Sequence, residues 1–370
     1  NDVLRLTLDS RGGAIVGASL LQYDQEARAG SPPVELLSSQ PERFFAAHSG
    51  WISRESPAPS HEDAFELLAD DAADHSVATF RWTGPEGVEI ERSYSLEPGE
   101  YVLTMRDIVR NRGSKNWQAS AYHQLQRVPP PSKGSGFTNP EAYSFVGAAW
   151  YSPQDRFEKL KFDDFDPNEP LAKDVTGGWI AMLQHYFFVA WIPSAEQGYR
   201  FSTAKRRDGY LIRAIAATPA VAPGNDTTYT ARMYLGPKLQ DRLQGVAPGL
   251  GLTLDYGIFT IIAEPLAWLL GKLHALTGNW GWAIVLLVIL IKLALFKLSE
   301  SQYKSFAKMR RVQPRIEALK ERYGDDRQKF QMAMMELYKK EKINPVGGCL
   351  PVLLQFPVFI ALYWVLLESV

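Results

Sequence analysis

A lysine inside an apolar run is the residue of this sequence whose chemistry most needs an explanation. Lys292 lies in VLLVILIKLALFKLSE, which extends from Val285 to Glu300. A lysine at the centre of a membrane helix costs roughly 2.5–3.5 kcal/mol, whereas each Leu, Ile, Val or Phe returns about 0.3–0.6 kcal/mol. Twelve such residues lie within 280–298, so they outweigh the lysine. The sequence predicts a membrane-spanning helix over 280–298 that keeps a cation inside it.

A second polar side chain, Gln355, lies in the other long apolar segment. We predict a membrane-spanning helix over 349–367, in which Gln355 is the only strongly polar side chain. Pro357 has no N–H to donate, so the carbonyl group of Leu353 is left as an unpaired acceptor. Lys292 and Gln355 are therefore expected to line a wet groove between helices. The other interpretation of Gln355 is an interhelical hydrogen bond that only holds the bundle together.

A charged segment, 299–344, lies between the two apolar ones and has twelve Lys and Arg against seven Asp and Glu. Apolar residues recur in it at helical spacing. Gly324 is typical of a left-handed helix C-cap and Asp325 of the next N-cap, so a helical hairpin is predicted. Basic residues cluster directly after the first apolar segment, which places the hairpin in the cytoplasm by the positive-inside rule.

The basic residues of this hairpin are candidates for contact with a partner. They include Lys308, Arg310, Arg311 and Arg315. Such a surface binds anionic lipid, nucleic acid or protein, unless it is a solvated loop that only obeys the positive-inside rule.

Two interpretations of Lys292 remain open. In the first interpretation, the side chain extends along its own carbon stem and reaches the cytoplasmic surface, because Leu298 is only about 9 Å further along the helix. Alternatively, it faces a polar cavity or a partner, as intramembrane charges usually do. Cα–Cβ bonds tilt toward the N-terminus of a helix, so this side chain starts away from the cytoplasm. The tilt favours the cavity.

The elements that position these side chains belong to two parts of different charge. Residues 1–255 have 25 Lys and Arg against 32 Asp and Glu, whereas residues 256–370 have 15 against 9. Such an asymmetry indicates two environments. Residues 1–245 alternate in short runs such as VEIERSYSL, which predicts a large antiparallel β-sandwich. The run WIAMLQHYFFVAWIP (179–193) is too short to span a membrane and is predicted as a buried strand pair.

Two further segments connect these parts. A linker is predicted over 246–257, where Gly and Pro become frequent before the composition turns apolar. Segment 258–276 places most of its Leu and Ile residues on one helical face and Glu264 and His274 on the other. This pattern is typical of an interfacial amphipathic helix, with a spanning helix as the alternative. The start Asn1-Asp2-Val3 has no basic or apolar run, so no signal peptide is expected there.

Several kinds of chemistry are not expected. The single cysteine, Cys349, excludes an internal disulfide framework and a cysteine-cluster metal site. The six histidines lack ligand spacing, and the sequence has no nucleophile elbow, P-loop or paired metal motif. We therefore expect no enzyme, no cofactor and no small-molecule substrate.

Two stretches resemble a known family, the YidC membrane protein insertases. They are NWGWAIVLLVILIKLALFKLSESQYKSFAKMRRVQPRIEALKERYGDD and LYKKEKINPVGGCLPVLLQFPVFIALYW. The strings NP-GGC-P and Q-P-F-ALY are the specific part, and the resemblance covers 236–370 almost continuously. It implies an all-β periplasmic supersandwich, similar to sugar mutarotases, followed by an α-helical membrane bundle with a cytoplasmic helical hairpin. We expect this sequence to contain only part of that bundle.

The resemblance also implies roles for named residues. In that family a hydrophilic groove holds a positive residue that attracts the hydrophilic part of an incoming protein. Lys292 occupies the position where the family commonly has arginine, and Gln355 matches a groove-lining glutamine. Pro351 and Phe359 would belong to a slide for the apolar segment. Lysine keeps the charge but lacks the planar fork of arginine, so the requirement would be a point charge.

The implied setting is the inner membrane of a Gram-negative bacterium, crossed more than once. The implied partners are nascent membrane proteins, the Sec translocon, the ribosome and anionic lipids. A second function class stays open: a membrane-tethered periplasmic module that binds or modifies carbohydrate, although a fold by itself does not give a function. A transporter or channel subunit is disfavoured by the single intramembrane charge.

Overall fold

The computed structural model describes residues 1–26, 28, 30–70, 76–130, 144–243, 245–254, 256, 259–324, 326–341 and 345–368, without the side chains of 69, 70, 241, 305 and 345–351. Within this part the chain divides into two compact units, which meet in sequence between Leu254 and Asp255.

The first unit is built from antiparallel strands. In chain order they are β1 Leu4–Asp9, β2 Ala14–Asp24, β3 Pro33–Leu37, β4 Phe45–Ile52, β5 Glu66–Asp70, β6 Val77–Thr83, β7 Val88–Leu96, β8 Val102–Asn111, β9 Trp117–Gln118, β10 Ser120–Arg127, β11 Gly147–Ser152, β12 Arg156–Lys161, β13 Ala172–Thr176, β14 Trp179–Leu183, β15 Phe187–Pro193, β16 Gly198–Arg206, β17 Gly209–Ala216, β18 Ala220–Val221 and β19 Asp226–Pro237. One sheet has eight strands in the order β1-β2-β4-β10-β17-β16-β13, with β3 paired to β2. The other has nine, in the order β12-β11-β14-β15-β19-β8-β7-β6-β5, and β9 pairs with β18.

The predicted β patterning is confirmed in detail by this unit. VEIERSYSL forms β7, whose residues alternate between buried and half-buried. The apolar run 179–193 forms the antiparallel pair β14 and β15, in which Met182 lies opposite Val189. Trp179 and Trp191 of this pair are both buried. The run is therefore core of a sandwich, and its apolar character reflects burial on both faces.

A buried ion pair joins the two sheets. Arg92 of β7 donates from Nε and Nη2 to the carboxylate of Asp107 on β8, at 2.8 and 2.7 Å. The same carboxylate accepts a hydrogen bond of 2.9 Å from Nε1 of Trp51, which lies on β4 of the other sheet. Arg92 also donates to the carbonyl groups of Gly12 and Ser49. The pair therefore has partners in both layers, as a buried charge requires.

The β unit extends into the segment predicted as a linker. Ala247 and Leu250 are buried in its core, and residues Leu250–Thr253 form a 3₁₀ turn. The carbonyl group of Pro248 accepts a hydrogen bond of 3.0 Å from Nε1 of Trp179. The frequent Gly and Pro residues of 246–257 thus belong, over most of that range, to a turn that is packed against the β unit.

The first unit ends with one short helix, α1 Gln240–Leu243, and the 3₁₀ turn after it. The helices of the second unit are α2 Thr260–Thr277, α3 Trp280–Ala294, α4 Phe296–Tyr323, α5 Arg327–Lys340 and α6 Pro345–Glu368. The start of α3 is capped by Asn279, whose side chain accepts a hydrogen bond of 3.2 Å from the backbone N–H of Trp282.

The second unit has its own core, where α2, α3 and α6 pack together. Each of the three helices contributes an alanine with no exposed surface: Ala263, Ala283 and Ala361. Small side chains let helices approach closely, which is the usual packing of helices in apolar surroundings. Ile261 of α2 lies outside this core and is 86% exposed.

The expected continuous helix over 280–298 is interrupted. α3 ends at Ala294, Leu295 caps it with φ −92° and ψ 10°, and α4 starts at Phe296. Within the described residues no single helix is both long and apolar enough to cross a membrane. The pair α3 and α4 together meets that criterion by length and composition, with a bend of 61° between its members.

The expected cap residues of the hairpin are shifted. Gly324 has φ −53° and ψ −33°, so it is right-handed and not the left-handed cap that was predicted. The N-cap of α5 is Asp326, whose Oδ1 accepts a hydrogen bond of 3.1 Å from the backbone N–H of Lys329. That bond and the Lys329 ammonium lower the pKa of the Asp326 carboxyl. The predicted cap residue, Asp325, lies outside the described residues.

Candidate functional site

A polar cavity lies at the bend between α3 and α4. Its volume is about 620 Å³, and α6 provides the facing wall. Its lining residues are Ile291, Lys292, Leu295, Phe296, Ser299, Glu300, Gln302, Tyr303, Lys304, Gln355 and Phe359. The change of direction at Leu295 brings the last turn of α3 and the first turns of α4 around one space. This cavity is the candidate functional site.

Lys292 reaches the cavity because of its place on α3. Ala283, Leu287 and Ile291 recur every fourth residue and are buried in the helix core. Lys292 follows Ile291 directly, so its side chain leaves the packed face and is exposed to the cavity. Within the described part of the chain it has neither a hydrogen bond nor an ion pair. The amine is therefore available to a group that enters the cavity.

Gln355 lines the same cavity and also joins two helices. Its Nε2 donates a hydrogen bond of 3.0 Å to Oγ of Ser299, so α6 is tied to α4. The structure therefore shows both features that the sequence offered as alternatives, namely a cavity wall and an interhelical bond. The partner of this bond is Ser299, and Lys292 lines the same cavity without taking part in it.

The sequence analysis did not assign to this site the polar residues that α4 contributes, among them Ser299, Glu300 and Lys304. Oε1 of Glu300 lies 2.7 Å from Nζ of Lys304, and its Oε2 lies 3.5 Å from Nζ of Lys297. Helical spacing was the signal that could have found them. Steps of three and four residues from Lys292 lead to Ser299, whose neighbour is Glu300, and on into the charged segment that was assigned to the hairpin alone.

The two residues proposed for a substrate slide differ in what the structure describes. Phe359 lines the cavity and is 41% exposed. Pro351 belongs to α6, but its side chain lies outside the described residues.

The four basic residues predicted as partner contacts also differ among themselves. Lys308 and Arg311 are exposed on α4. Arg310 lines a groove of about 920 Å³ beside apolar residues of α4 and Tyr338 of α5. Arg315 is paired with Glu341, which follows α5, so its charge ties the two helices of the hairpin. Arg315 is thus already engaged within the chain.

No site for a metal ion is found in the described part of the chain, where no three His, Cys, Asp or Glu residues come together. In the cavity, Glu300 and Lys304 meet as an ion pair.

The β unit contains a separate polar cluster, which the sequence did not suggest. The rings of His48 and His61 stack at 4.3 Å, and Nδ1 of His61 lies 2.6 Å from Oη of Tyr122. Nδ1 of His48 lies 3.3 Å from Nε2 of Gln124. Burial, and then the nearby His61, lower the pKa of His48 to about 4. His48 is therefore neutral at neutral pH.

Two family models match the chain and together cover almost all of it. Residues 1–269 match the YidC periplasmic domain, and residues 272–370 match the 60Kd inner membrane protein family. The chain belongs to the YidC family. The resemblance of the apolar and hairpin segments to this family is thereby confirmed. Membership of the family also agrees with the prediction that the chain is not an enzyme.

Individual relatives support the same assignment. The chain is 48% identical over 383 residues to the membrane protein insertase YidC of Stenotrophomonas maltophilia (strain K279a), covering 100% of this chain and 66% of the relative. It is 46% identical to the insertase YidC of Xylella fastidiosa (strain M23), covering 100% of this chain and 67% of the relative. The chain thus spans about two thirds of the length of these YidC proteins.

Solved structures resemble the chain only distantly. A galactose mutarotase related enzyme from Lactobacillus acidophilus has a TM-score of 0.43 at 14% identity, with 64% of this chain and 95% of that one covered. A galactose mutarotase-like protein from Lactobacillus casei has a TM-score of 0.44 at 10% identity, with 64% and 98% covered. At these scores neither similarity supports an inference about what this YidC family member does.

Proposed function

We propose that this chain acts as a membrane protein insertase that offers incoming proteins a hydrophilic, positively charged groove. The observation that carries the proposal is the cavity of about 620 Å³ at which Lys292, Gln355 and Phe359 meet. Membership of the YidC family supports the same function, since its curated relatives are named insertases.

The groove would act by lowering the cost of taking a polar segment out of water. An unpaired polar group in an apolar medium costs several kcal/mol, and a charge costs more. The exposed amine of Lys292 attracts an acidic side chain of the incoming segment, and Gln355 adds an amide to the polar wall. The apolar part of the substrate leaves along α6, past Pro351 and Phe359. No covalent bond is made or broken.

The wider arrangement is part of the proposal. The segments 280–298 and 349–367 cross the inner membrane of a Gram-negative bacterium, with the hairpin 299–344 in the cytoplasm and 1–245 in the periplasm. The excess of Lys and Arg in the hairpin supports this orientation. Nascent membrane proteins are the substrates, and the Sec translocon, the ribosome and anionic lipids are the partners, with Lys308, Arg310 and Arg311 as contact residues.

Replacement of Lys292 tests the electrostatic role. In cells depleted of their own insertase and carrying the full-length protein, we expect Lys292→Ala to reduce insertion of a short-tailed single-spanning protein with one acidic residue in its tail by about tenfold. Lys292→Arg should retain insertion, and Lys292→Glu should reduce it furthest. Protease accessibility of the tail measures the result.

Lys320→Ala is the matched control, because Lys320 is exposed on α4 outside the cavity. Equal insertion by the protein with lysine, alanine, arginine or glutamate at 292 would overturn the proposed role.

A further inference from the structure

The cavity contains an acidic residue as well as basic ones, and this affects which substrates it accepts. Among its described lining residues the charged ones are Lys292, Glu300 and Lys304. We propose that Glu300 sets the acidity of the segments that the cavity accepts, by neutralising Lys304 and leaving Lys292 as the cation available to an incoming carboxylate. This inference rests on the proposed insertase function and names a specificity-determining residue for it.

The geometry gives Glu300 and Lys292 opposite situations. Glu300 is held on both sides, with Lys304 at 2.7 Å and Lys297 at 3.5 Å. These pairs lie one turn apart on α4, the spacing at which opposite charges attract on a helix surface. In the described part of the chain Lys292 has no such partner. The three lining charges sum to a single positive charge, so the cavity balances one carboxylate.

The position of Glu300 makes its effect depend on the number of acidic residues in the substrate. The side chain of Glu300 is 35% exposed and that of Lys304 is 71% exposed, so the pair exchanges readily with water and with other ions. A first carboxylate pairs with Lys292. A second or third meets Glu300 at short range and must displace it from Lys304, because like charges repel.

Ser299 holds this arrangement in place. It precedes Glu300 on α4, and its hydroxyl group accepts the hydrogen bond from Gln355 of α6. The bond fixes the wall that carries Glu300 against the wall that carries Gln355.

The test varies the charge of the substrate and of the cavity together. Three single-spanning reporter proteins carry zero, one or three aspartates in the translocated tail, and their insertion by the full-length protein is measured by protease accessibility. The readout is the ratio of insertion of the three-aspartate reporter to that of the one-aspartate reporter. We expect Glu300→Gln to raise this ratio by about three- to tenfold, whereas Lys304→Gln should lower it.

Glu317→Gln is the matched control, since it removes the same charge from an exposed position of α4 outside the cavity. A ratio for Glu300→Gln equal to that of wild type or of Glu317→Gln overturns the inference, and so does a change of the same sign in Lys304→Gln.

Lys292→Ala distinguishes failure of the proposed function from failure of the role of Glu300 alone. If it lowers insertion of the acidic reporters while Glu300→Gln leaves the ratio unchanged, only the role of Glu300 fails. If it leaves all three reporters unaffected, the proposed function fails and takes this inference with it.

Discussion

Individual side chains acquire their chemistry here from the groups that surround them. Lys292 and Lys304 line one cavity, yet Lys304 lies 2.7 Å from a carboxylate of Glu300. Lys292 has no such neighbour among the described residues. His48 offers a second case, in which burial and the stacked ring of His61 lower the pKa to about 4. Residue type alone does not distinguish these situations.

The pH dependence of stability provides a test at this scale. In the unfolded chain His48 takes up a proton near pH 6.5, whereas in the folded state it does so near pH 4. Its stabilising contribution is therefore complete above about pH 6.5 and is lost as the pH falls toward 4, by an amount on the order of 3 kcal/mol. Urea unfolding of the full chain in detergent, followed by tryptophan fluorescence at pH 7, 5.5 and 4, measures it.

The variant His48→Gln carries no titrating ring at this position. Its free energy of unfolding should fall less between pH 7 and pH 4 than that of wild type. Identical pH slopes for the two proteins would contradict the assignment of this loss to His48.

At the scale of elements, the bend at Leu295 and the contact between α4 and α5 decide where charged groups lie. The bend of 61° brings residues of α3 and α4 to one cavity. Further along α4, Arg315 pairs with Glu341 just beyond α5. This ion pair thus ties the two helices together by charge.

Removal of this ion pair tests its role in the hairpin. Arg315 is 65% exposed, so we expect Arg315→Ala to lower stability by only about 0.2–1 kcal/mol. The local effect should be clearer: backbone amides at the end of α5 lose protection against hydrogen exchange. The swapped double variant Arg315→Glu with Glu341→Arg should restore that protection. Arg311→Ala, which removes an exposed charge from the same helix, should leave it intact, and an equal loss in both alanine variants would refute the role of the pair.

For the whole molecule, the division at residues 254 and 255 separates a β unit from a helical unit, each with a core of its own. The two sheets of the β unit are joined by Arg92 and Asp107, which are both 1% exposed. A buried pair of this kind gives little net stability relative to apolar residues, but loss of one partner leaves an uncompensated charge.

We therefore expect Asp107→Asn to destabilise the β unit by about 3–5 kcal/mol and to leave the helical unit unaffected. Hydrogen exchange of backbone amides during chemical unfolding, followed separately for the strands of the β unit and for the helices of the second unit, distinguishes the two transitions. The double variant Arg92→Met with Asp107→Leu should recover much of the loss. Arg112→Met, which removes an exposed partner of Asp226, is the control. A shift of both transitions, or none, would contradict the expectation.

The sequence by itself determined the features that depend on local periodicity. Alternation predicted strands such as β7 and the pair β14 and β15, because side chains of a strand point alternately to its two faces. Helical spacing and the stop near Gly324 predicted the helices, and the strings around Gln355 indicated the family. Each of these patterns is formed by residues close together in the sequence, so it can be recognised without knowledge of the fold.

Tertiary structure decided the partners. Gln355 bonds to Ser299, which is 56 positions away, and the carboxylate of Asp107 joins Arg92 to Trp51 of the other sheet. Alternation places Arg92 on the inward face of β7 but cannot say which charge will meet it there. The break at Leu295, where no proline or glycine marks the sequence, gave the cavity its shape. Such contacts arise from packing between distant segments, whose energies no local pattern records.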